Sequence, residues 1–494
     1  MTKLKKILMS SLTTMVAVSP VFNVTALDNG LAKTPPMGWN SWNCFHENIT
    51  ETKIKQIADL MATNGMKEAG YIYLNLDDNW MATSRDANGN LRADPTRFPS
   101  GMKALGDYIH NKGLKFGIYG DRGLRTCHHY NAGPAGTQSG SYGKEVRDAN
   151  TFASWGVDYL KYDNCEPAPG SNQQRDYENM RDALANCGRP IIFSVCAWGF
   201  QSWAPKTGNL WRTTGDITDK WQTSSTDWFK GIINIIDENG KLANYATPGA
   251  WNDPDMLEVG NGGCTTEEYR THFSMWCMMA APLIAGVDMT NTQRFNQATK
   301  DILLNKEVIA IDQDSAGIQG TRIKANNGLE VWCKPLGKKD GTTKAVALLN
   351  RNGSAANITV NFTDVGLSGE VYVRDLWAKT DKGKFTNSFT MSVPSHGTGM
   401  LKLTTTPAVS TIPTTVTRFN TDLKAVASNG KIDIRNEDVN SAFSVSVFLP
   451  DGKLVTRTKS IAGAAAISVP NNGIYIVDMS CNGQSKRQMV SVYK

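Results

Sequence analysis

The chain has 494 residues, 40% hydrophobic, 20% charged and 9% aromatic, the composition of a folded protein of about three domains, or fewer where one is a barrel. Its 52 Lys and Arg exceed its 46 Asp and Glu by only six, and by three without the amino-terminal Lys3, Lys5 and Lys6, so no nucleic-acid partner is implied. Nine cysteines, sparse and odd in number, exclude a disulfide scaffold; six His without H-x-x-x-H spacing, and no C-x-x-C, leave a metal no evident ligand set, and no cofactor is expected.

Residues 1–26 begin with those three lysines and no acid, continue as an apolar run from Ile7 to Val18, and close on Val24-Thr25-Ala26. This is the pattern of an export signal with a small-residue cleavage site, so the protein is expected in the periplasm, at the cell surface or secreted. The run is too short to span a bilayer, and no later segment approaches 18 unbroken apolar residues, so no transmembrane segment is expected. From Met37 to about Asn305 one theme recurs, a β-rich apolar run that ends in polar residues and leads into an amphipathic helix. The predicted strands are Met37 to Trp42, Tyr71 to Asp78, Leu114 to Asp121, Val157 to Asn164, Ile191 to Trp198, Leu210 to Asp216, Ala250 to Leu257 and Pro282 to Asp288. Between them Ile54, Ile57, Ala58 and Met61 recur at helical spacing, with Thr50 as N-cap and Gly65 as C-cap; Thr265 to Glu268 has capping-box spacing, and Asn291 to Leu304 is helical in pattern. Eight alternating strand–helix units predict an α/β fold, a (β/α)8 TIM barrel over 27–312, with an open doubly wound sheet as the other arrangement. Gly117, Gly120 and Gly123 spell a weak glycine pattern that is not read as a phosphate loop.

After Asp312 the pattern changes to alternating strands and turns: Glu330 to Lys334, Ala345 to Asn350, Asn357 to Phe362, Glu370 to Asp375, Ser388 to Val393 and Gly399 to Leu403. These predict an antiparallel β-sandwich domain over 313–405. A Thr/Pro/Ser/Val stretch predicts a linker at 406–420, and a carboxy-terminal β domain follows over 421–494. That last domain fits an immunoglobulin-like accessory sandwich, and it also resembles, through Gly473 to Val477 and a basic tail, the sorting domains of type IX secreted bacterial proteins.

A barrel carries its chemistry at the carboxyl ends of its strands. Those ends hold Trp39 and Trp42, Asp77 and Asp78, Tyr119 and Asp121, Lys161 and Asp163, Trp198, Arg212 and Asp216, Asp253 and Asp255, and Asp288. Acids, aromatics and two cations on one rim point to a sugar site, where CH faces stack on Trp and hydroxyls bond carboxylates. Strand alternation puts Lys161, Asp163 and Cys165 on one face, and a carboxylate beside an ammonium stays ionised, as a nucleophile or electrostatic stabiliser must. Glycoside hydrolysis also needs a proton donor. Asp216 fits, its proton retained by neighbouring negative charge, while Asp253 and Asp255 are placed equally well. The structural alternatives are an Asp163 that only ends its strand and an Asp216 that caps a helix ahead of Ile217.

The set Met37-Gly38-Trp39-Asn40-Ser41-Trp42, Leu76-Asp77-Asp78, Gly117-Ile118-Tyr119, Lys161-Tyr162-Asp163-Asn164-Cys165, Trp211-Arg212-x-x-x-Asp216 and Trp251-Asn252-Asp253-Pro254-Asp255-Met256 resembles the α-galactosidase and α-N-acetylgalactosaminidase family, glycoside hydrolase family 27. The match runs in order from about Leu27 to Asp314. The resemblance implies a retaining exo-glycosidase releasing terminal α-D-galactosyl residues, with Asp163 as nucleophile and Asp216 as acid/base, their carboxyl groups roughly 5 to 5.5 Å apart. It implies sugar contacts from Trp42, Asp77, Asp78, Tyr119, Lys161, Cys196, Trp198, Arg212 and Asp255, with Asp77, Asp78 and Lys161 reading the O4 and O6 region and Trp42 covering the apolar face. It also implies a Cys127–Cys165 bridge bracing the nucleophile loop, and a galactose-containing glycan or glycoconjugate as partner.

Two departures stand out. Asn79 replaces a Cys found in many members, and Ala197 stands where typical α-galactosidases carry a polar residue near the sugar 2-position. A small residue there makes room for a 2-acetamido group, so α-N-acetylgalactosaminidase is an alternative, with β-L-arabinopyranosidase, whose sugar differs at C5, as another of the same family; Phe200 as filler and Arg212 as O2 partner favour galactose. A non-catalytic galactose-binding protein would be expected to lack one carboxylate, and both are present.

Overall fold

The computed structural model describes residues 29–337 and 341–405 and, near the carboxy terminus, 424–428, 431–435, 442–450, 453–462, 464–481 and 484–492. The export signal expected at 1–26 and the linker expected at 406–420 lie outside the described residues. The chain divides into two compact units between Thr405 and Thr406.

In the first unit eight parallel strands, β1 (Met37–Asn40), β2 (Tyr73–Asn75), β3 (Lys115–Asp121), β4 (Tyr159–Asp163), β5 (Ile192–Val195), β6 (Leu210–Arg212), β7 (Trp251–Asp253) and β8 (Leu283–Ala285), run in the order β7-β6-β5-β4-β3-β2-β1-β8. The ring closes just beyond β7, where the Leu257 N–H donates to Ile284 O at 2.8 Å and its carbonyl accepts from Gly286 N at 3.0 Å. Strands covered on both faces read as continuous apolar runs, which is why all eight are visible in the sequence. Most end earlier than the apolar runs suggest. Trp42 opens a short helix, Trp42–Phe45, and Asp77, Asp78, Trp198, Asp216 and Asp255 lie in turns that leave the ladder. Trp198 and Asp255 turn through left-handed backbone, φ 63° and 81°.

The helix Glu51–Thr63 starts as expected, with the Thr50 side chain accepting from Lys53 N and Ile54, Ile57, Ala58 and Met61 buried. At its other end Asn64 is the cap and Gly65 follows in left-handed conformation, φ 96°. Thr265 and Glu268 close a reciprocal capping box on Thr266–Met278. The expected helix from Asn291 shrinks to Gln297–Leu303, because the side chain of Asn291 turns its own loop by accepting from Gln293 N and Asn296 caps the helix by accepting from Thr299 N.

Eight further strands follow: β9 (Thr321–Asn326), β10 (Leu329–Pro335), β11 (Thr343–Asn350), β12 (Ala356–Asn361), β13 (Glu370–Asp375), β14 (Thr380–Thr386), β15 (Ser388–Val393) and β16 (Thr398–Thr404). They form a six-stranded antiparallel sheet, β14-β13-β16-β11-β10-β9, and a two-stranded one, β12-β15. Strand β11 shows how this sandwich meets the barrel. Val346 and Leu348 pack inside the sandwich, while the alternate residues Ala345, Ala347 and Leu349 join the barrel core with Trp332, Met400 and the helix Thr266–Met278. β9 and β14 lie at the sheet edges and are exposed along almost their whole length, so they carry no apolar alternation for a sequence to display.

The second unit holds a three-stranded and a four-stranded antiparallel sheet around a core that includes Ile432, Ile434, Phe443, Val445, Tyr475 and Val477. Among the described residues no helix is long and apolar enough to cross a membrane.

Candidate active site

A cavity of about 700 Å³ opens at the carboxyl ends of the barrel strands, and all eleven residues expected to act on or hold a sugar line it. Asp163, at the tip of β4, is 8% exposed. Its Oδ2 accepts from the Tyr119 hydroxyl at 2.8 Å, and its Oδ1 from the Trp198 indole N–H at 2.8 Å and Asn164 N at 2.9 Å. The carboxylate is thus held in one orientation by donors from β3 and from the segments that follow β4 and β5.

The expected partner of Asp163 is engaged elsewhere. Lys161 reaches past the ring of Tyr119, 5.5 Å away, and its Nζ donates to Asp77 Oδ2 at 2.8 Å. Asn40 Nδ2 binds the same oxygen at 2.7 Å. Asp78 accepts from Asn79 N and His128 N at 2.6 and 2.7 Å, and burial, outweighing those donors, pushes its carboxyl up to about 7. Asp77, Asp78 and Lys161 therefore form one compact group of donors and acceptors beside Trp42.

Asp216 follows β6 and has 43% of its side chain exposed. Arg212, 5% exposed at its side chain, bridges Asp216 Oδ1 at 3.1 Å and Asp255 Oδ2 at 2.8 Å. Asp255 also accepts from Ile217 N at 2.9 Å, which fixes the turn that carries Asp216. Below the disulfide Cys127–Cys165, the buried Asp121 accepts from Gly123 N and Cys165 N at 2.6 and 2.8 Å. Asp121, Asp163 and the two sulfurs lie close together, but the bridge leaves no thiolate to bind a metal. A wider groove of about 980 Å³ lies outside the barrel near Arg147; its acids Asp86 and Glu145 accept from backbone N–H groups of their own turns.

Residues 34–314 match the family model for alpha galactosidase A, and residues 326–403 that for the alpha galactosidase C-terminal beta sandwich domain. The chain belongs to the α-galactosidase family, glycoside hydrolase family 27. It is 49% identical over 383 residues to alpha-galactosidase 2 of Arabidopsis thaliana, covering 76% of this chain and 91% of that protein. The crystal structure of alpha-galactosidase I from Mortierella vinacea is 39% identical, with a TM-score of 0.71 over 76% of this chain and 98% of that one. The Saccharomyces cerevisiae α-galactosidase solved with raffinose is 29% identical, with a TM-score of 0.70 over 77% of this chain and 99% of that one.

Within this glycoside hydrolase several expected roles change. Burial pushes Asp163 above the usual carboxylate range, against the ammonium of Lys161 and the Tyr119 hydroxyl. For Asp216 burial acts in the same direction, but the Arg212 guanidinium, then Lys161 and the Trp228 indole, hold it below that range. The clustered acids expected to raise Asp216 are thus answered by a cation four residues before it. Asp253 sits behind the cavity wall and accepts from Asp255 N at 3.0 Å, a structural task. Asp288 accepts from Thr290 N at 2.8 Å in a turn outside the cavity, and Trp39 donates to Val287 O at 2.8 Å in the core.

Ala197 does not line the cavity. It is buried in the barrel core, while its neighbours Cys196 and Trp198 line the cavity of the glycosidase. Phe200 packs on Tyr245, ring centroids 4.6 Å apart, and fills no part of the cavity. The cavity also contains residues that motif reading passed over, among them Asn43, Asp219, Trp228, Phe229 and Glu258. Glu258 accepts from Asn43 Nδ2 at 2.6 Å, and burial pushes it up to about 8. The one available signal was Trp228-Phe229, an aromatic pair in a Ser/Thr-rich loop with no amphipathic element to bury it.

Proposed function

We propose that this glycosidase releases terminal α-D-galactosyl residues with retention of configuration, Asp163 acting as nucleophile and Asp216 as acid/base. The observation that carries the reading is one cavity holding a rigidly oriented Asp163, a solvent-open Asp216 and the Asp77–Lys161–Asp78 group. That group offers a charged donor and two carboxyl acceptors to the O4 and O6 hydroxyls, and Trp42 an apolar face to the ring.

In the first displacement Asp163 attacks the anomeric carbon and the C–O bond to the aglycone breaks as Asp216 gives that oxygen its proton. In the second, Asp216 takes a proton from water, the water oxygen bonds to the anomeric carbon and the Asp163 ester bond breaks. Substrate works against the upward shift of Asp163 and the downward shift of Asp216. A sugar hydroxyl donating to Asp163 favours its ionised form, and a glycosidic oxygen accepts a hydrogen bond only from protonated Asp216.

Galactose rather than a 2-acetamido sugar is supported by the wall beside the 2-position, where buried Cys196 and Arg212 stand 3.9 Å apart and Ala197 is withdrawn. The test compares hydrolysis of aryl α-galactoside, aryl α-N-acetylgalactosaminide and aryl β-L-arabinopyranoside by the parent chain and by Asp163→Asn. The parent should favour the first, and the variant should lose more than about 10³-fold of its turnover. Preference for the second substrate would overturn the sugar assignment, and an active Asp163→Asn the mechanism.

A further inference from the structure

We infer that His396, which the sandwich supplies, is a positioning residue for Asp216: it holds the loop that leads on from the acid/base group. This rests on reading Asp216 as the proton donor. The loop from Ile217 to Gly231 runs between β6 and the helix Ile232–Asn239. Its backbone closes on Asp216 itself, since Lys230 N donates to Asp216 O at 2.7 Å and Thr218 N to Lys230 O at 2.9 Å. A shift of the loop is therefore a shift of the acid. Two of its side chains reach other elements. Asp219 accepts from the Tyr269 hydroxyl at 2.7 Å and from Gly263 N at 2.5 Å. Trp221 packs against the barrel core, and its indole lies nearly parallel to the His396 imidazole, with centroids 4.4 Å and planes 13° apart.

The imidazole is itself held. His396 Nδ1 shares a hydrogen bond of 2.7 Å with Glu268 Oε1, while Glu268 Oε2 accepts from Thr265 N at 2.7 Å in the capping box of the helix Thr266–Met278. The Thr271 hydroxyl donates to His396 O at 2.6 Å, and buried Asn350 Nδ2 donates to Val393 O and Pro394 O at 3.1 and 3.0 Å, which pins the sandwich turn. Consecutive residues of one helix thus bear on the loop by two routes, Glu268 through His396 and Trp221, and Tyr269 through Asp219. Any apolar side chain could cover Trp221. An imidazole fixed by a capping carboxylate also sets where the indole lies. A proton donor works only within hydrogen-bond reach of the leaving oxygen, so freedom gained by this loop is read as lost protonation.

The test pairs methyl α-D-galactoside, whose leaving oxygen must be protonated, with α-D-galactosyl fluoride, whose fluoride leaves with little help from an acid. His396 has left-handed backbone, φ 54°, which Asn also adopts, so His396→Asn removes the stacked ring and keeps the turn. It should lower the ratio of kcat/KM for the methyl glycoside to that for the fluoride about tenfold, as should Trp221→Ala, and the double variant should fall no further, because both act through one contact. Trp221→Phe, which keeps a ring on the imidazole, should stay within about threefold of the parent. Hydrogen exchange in His396→Asn should quicken at the Thr218 and Ile233 amides and stay unchanged in β4. A ratio unchanged in both single variants, additive losses in the double variant, or unchanged exchange would overturn the positioning role. An unchanged ratio in Asp216→Ala would instead overturn the acid/base reading, and the exchange comparison would still decide whether His396 holds the loop.

Discussion

Asp163 and Asp216 are distinguished by what holds them: a hydroxyl and an indole N–H on the first, a guanidinium on the second. A double displacement turns that difference into stereochemistry. Asp163→Gly with azide and an aryl α-galactoside should yield the β-galactosyl azide, because azide enters from the vacated nucleophile face. Asp216→Gly still forms the β-linked ester with a good leaving group, so azide should then yield the α anomer. Nuclear magnetic resonance of the products checks both, and the same anomer from both variants would contradict the assigned roles. Glu258 makes a separate prediction. Its carboxyl is raised to about 8 in the fold, so the folded chain binds a proton that the unfolded chain has lost near pH 4.5. Its contribution to stability is complete below that pH and lost as pH rises through about 8. Melting curves between pH 5 and 9 should therefore fall more steeply for the parent than for Glu258→Gln, by roughly 1–2 °C per kcal/mol for a unit of this size. At this scale the sequence reveals which side chains reach the rim, because strand ends and motif order place them. It does not reveal their partners. Lys161 pairs with Asp77, 84 positions away, and Ala197 turns into the core at a left-handed Trp198, and both depend on the closed ring.

Between residue and fold, the turns after β3 and β4 act as one unit through the Cys127–Cys165 bridge and Asp121 beneath it. The bridge spans 38 residues, so loop-closure entropy assigns it about 3–4 kcal/mol. Cys127→Ser with Cys165→Ser should lower Tm, and a reductant should lower the parent's Tm by a similar amount while leaving the double variant unmoved. A reductant that shifts both equally would place the effect in some other pair. The strands of the barrel and the inner strands of the sandwich were legible because burial on one or both faces writes itself into apolar runs. The edge strands β9 and β14 were not, since solvent on both faces asks nothing of their side chains. The loop from Ile217 to Gly231 was legible only as a missing pattern, Trp228-Phe229 without an element, and that gap marks a stretch of the cavity wall.

Across the whole molecule, the barrel and the first sandwich share one apolar core, whereas the second unit has its own. The sharing follows from period-two alternation in β11, which gives one face to each side of the sheet, and it is reinforced by polar ties. Thr271 Oγ1 donates to His396 O at 2.6 Å, Arg351 pairs with Asp237 at 2.8 Å and Arg374 with Glu307 at 2.7 Å. A chain ending at Gln319 would leave the Trp276 helix facing water where Trp332, Ala347, Leu349 and Met400 now pack, a loss beyond what a domain's net stability covers. A chain ending at Thr405 would keep every one of those contacts. The shorter chain is expected to aggregate. The longer one should melt within about 2 °C of the corresponding transition in the full chain and hydrolyse aryl α-galactoside with the same kcat/KM. Scanning calorimetry and initial rates on the two truncations check this together, and lost activity in the chain ending at Thr405 would show that the second unit contributes to the site.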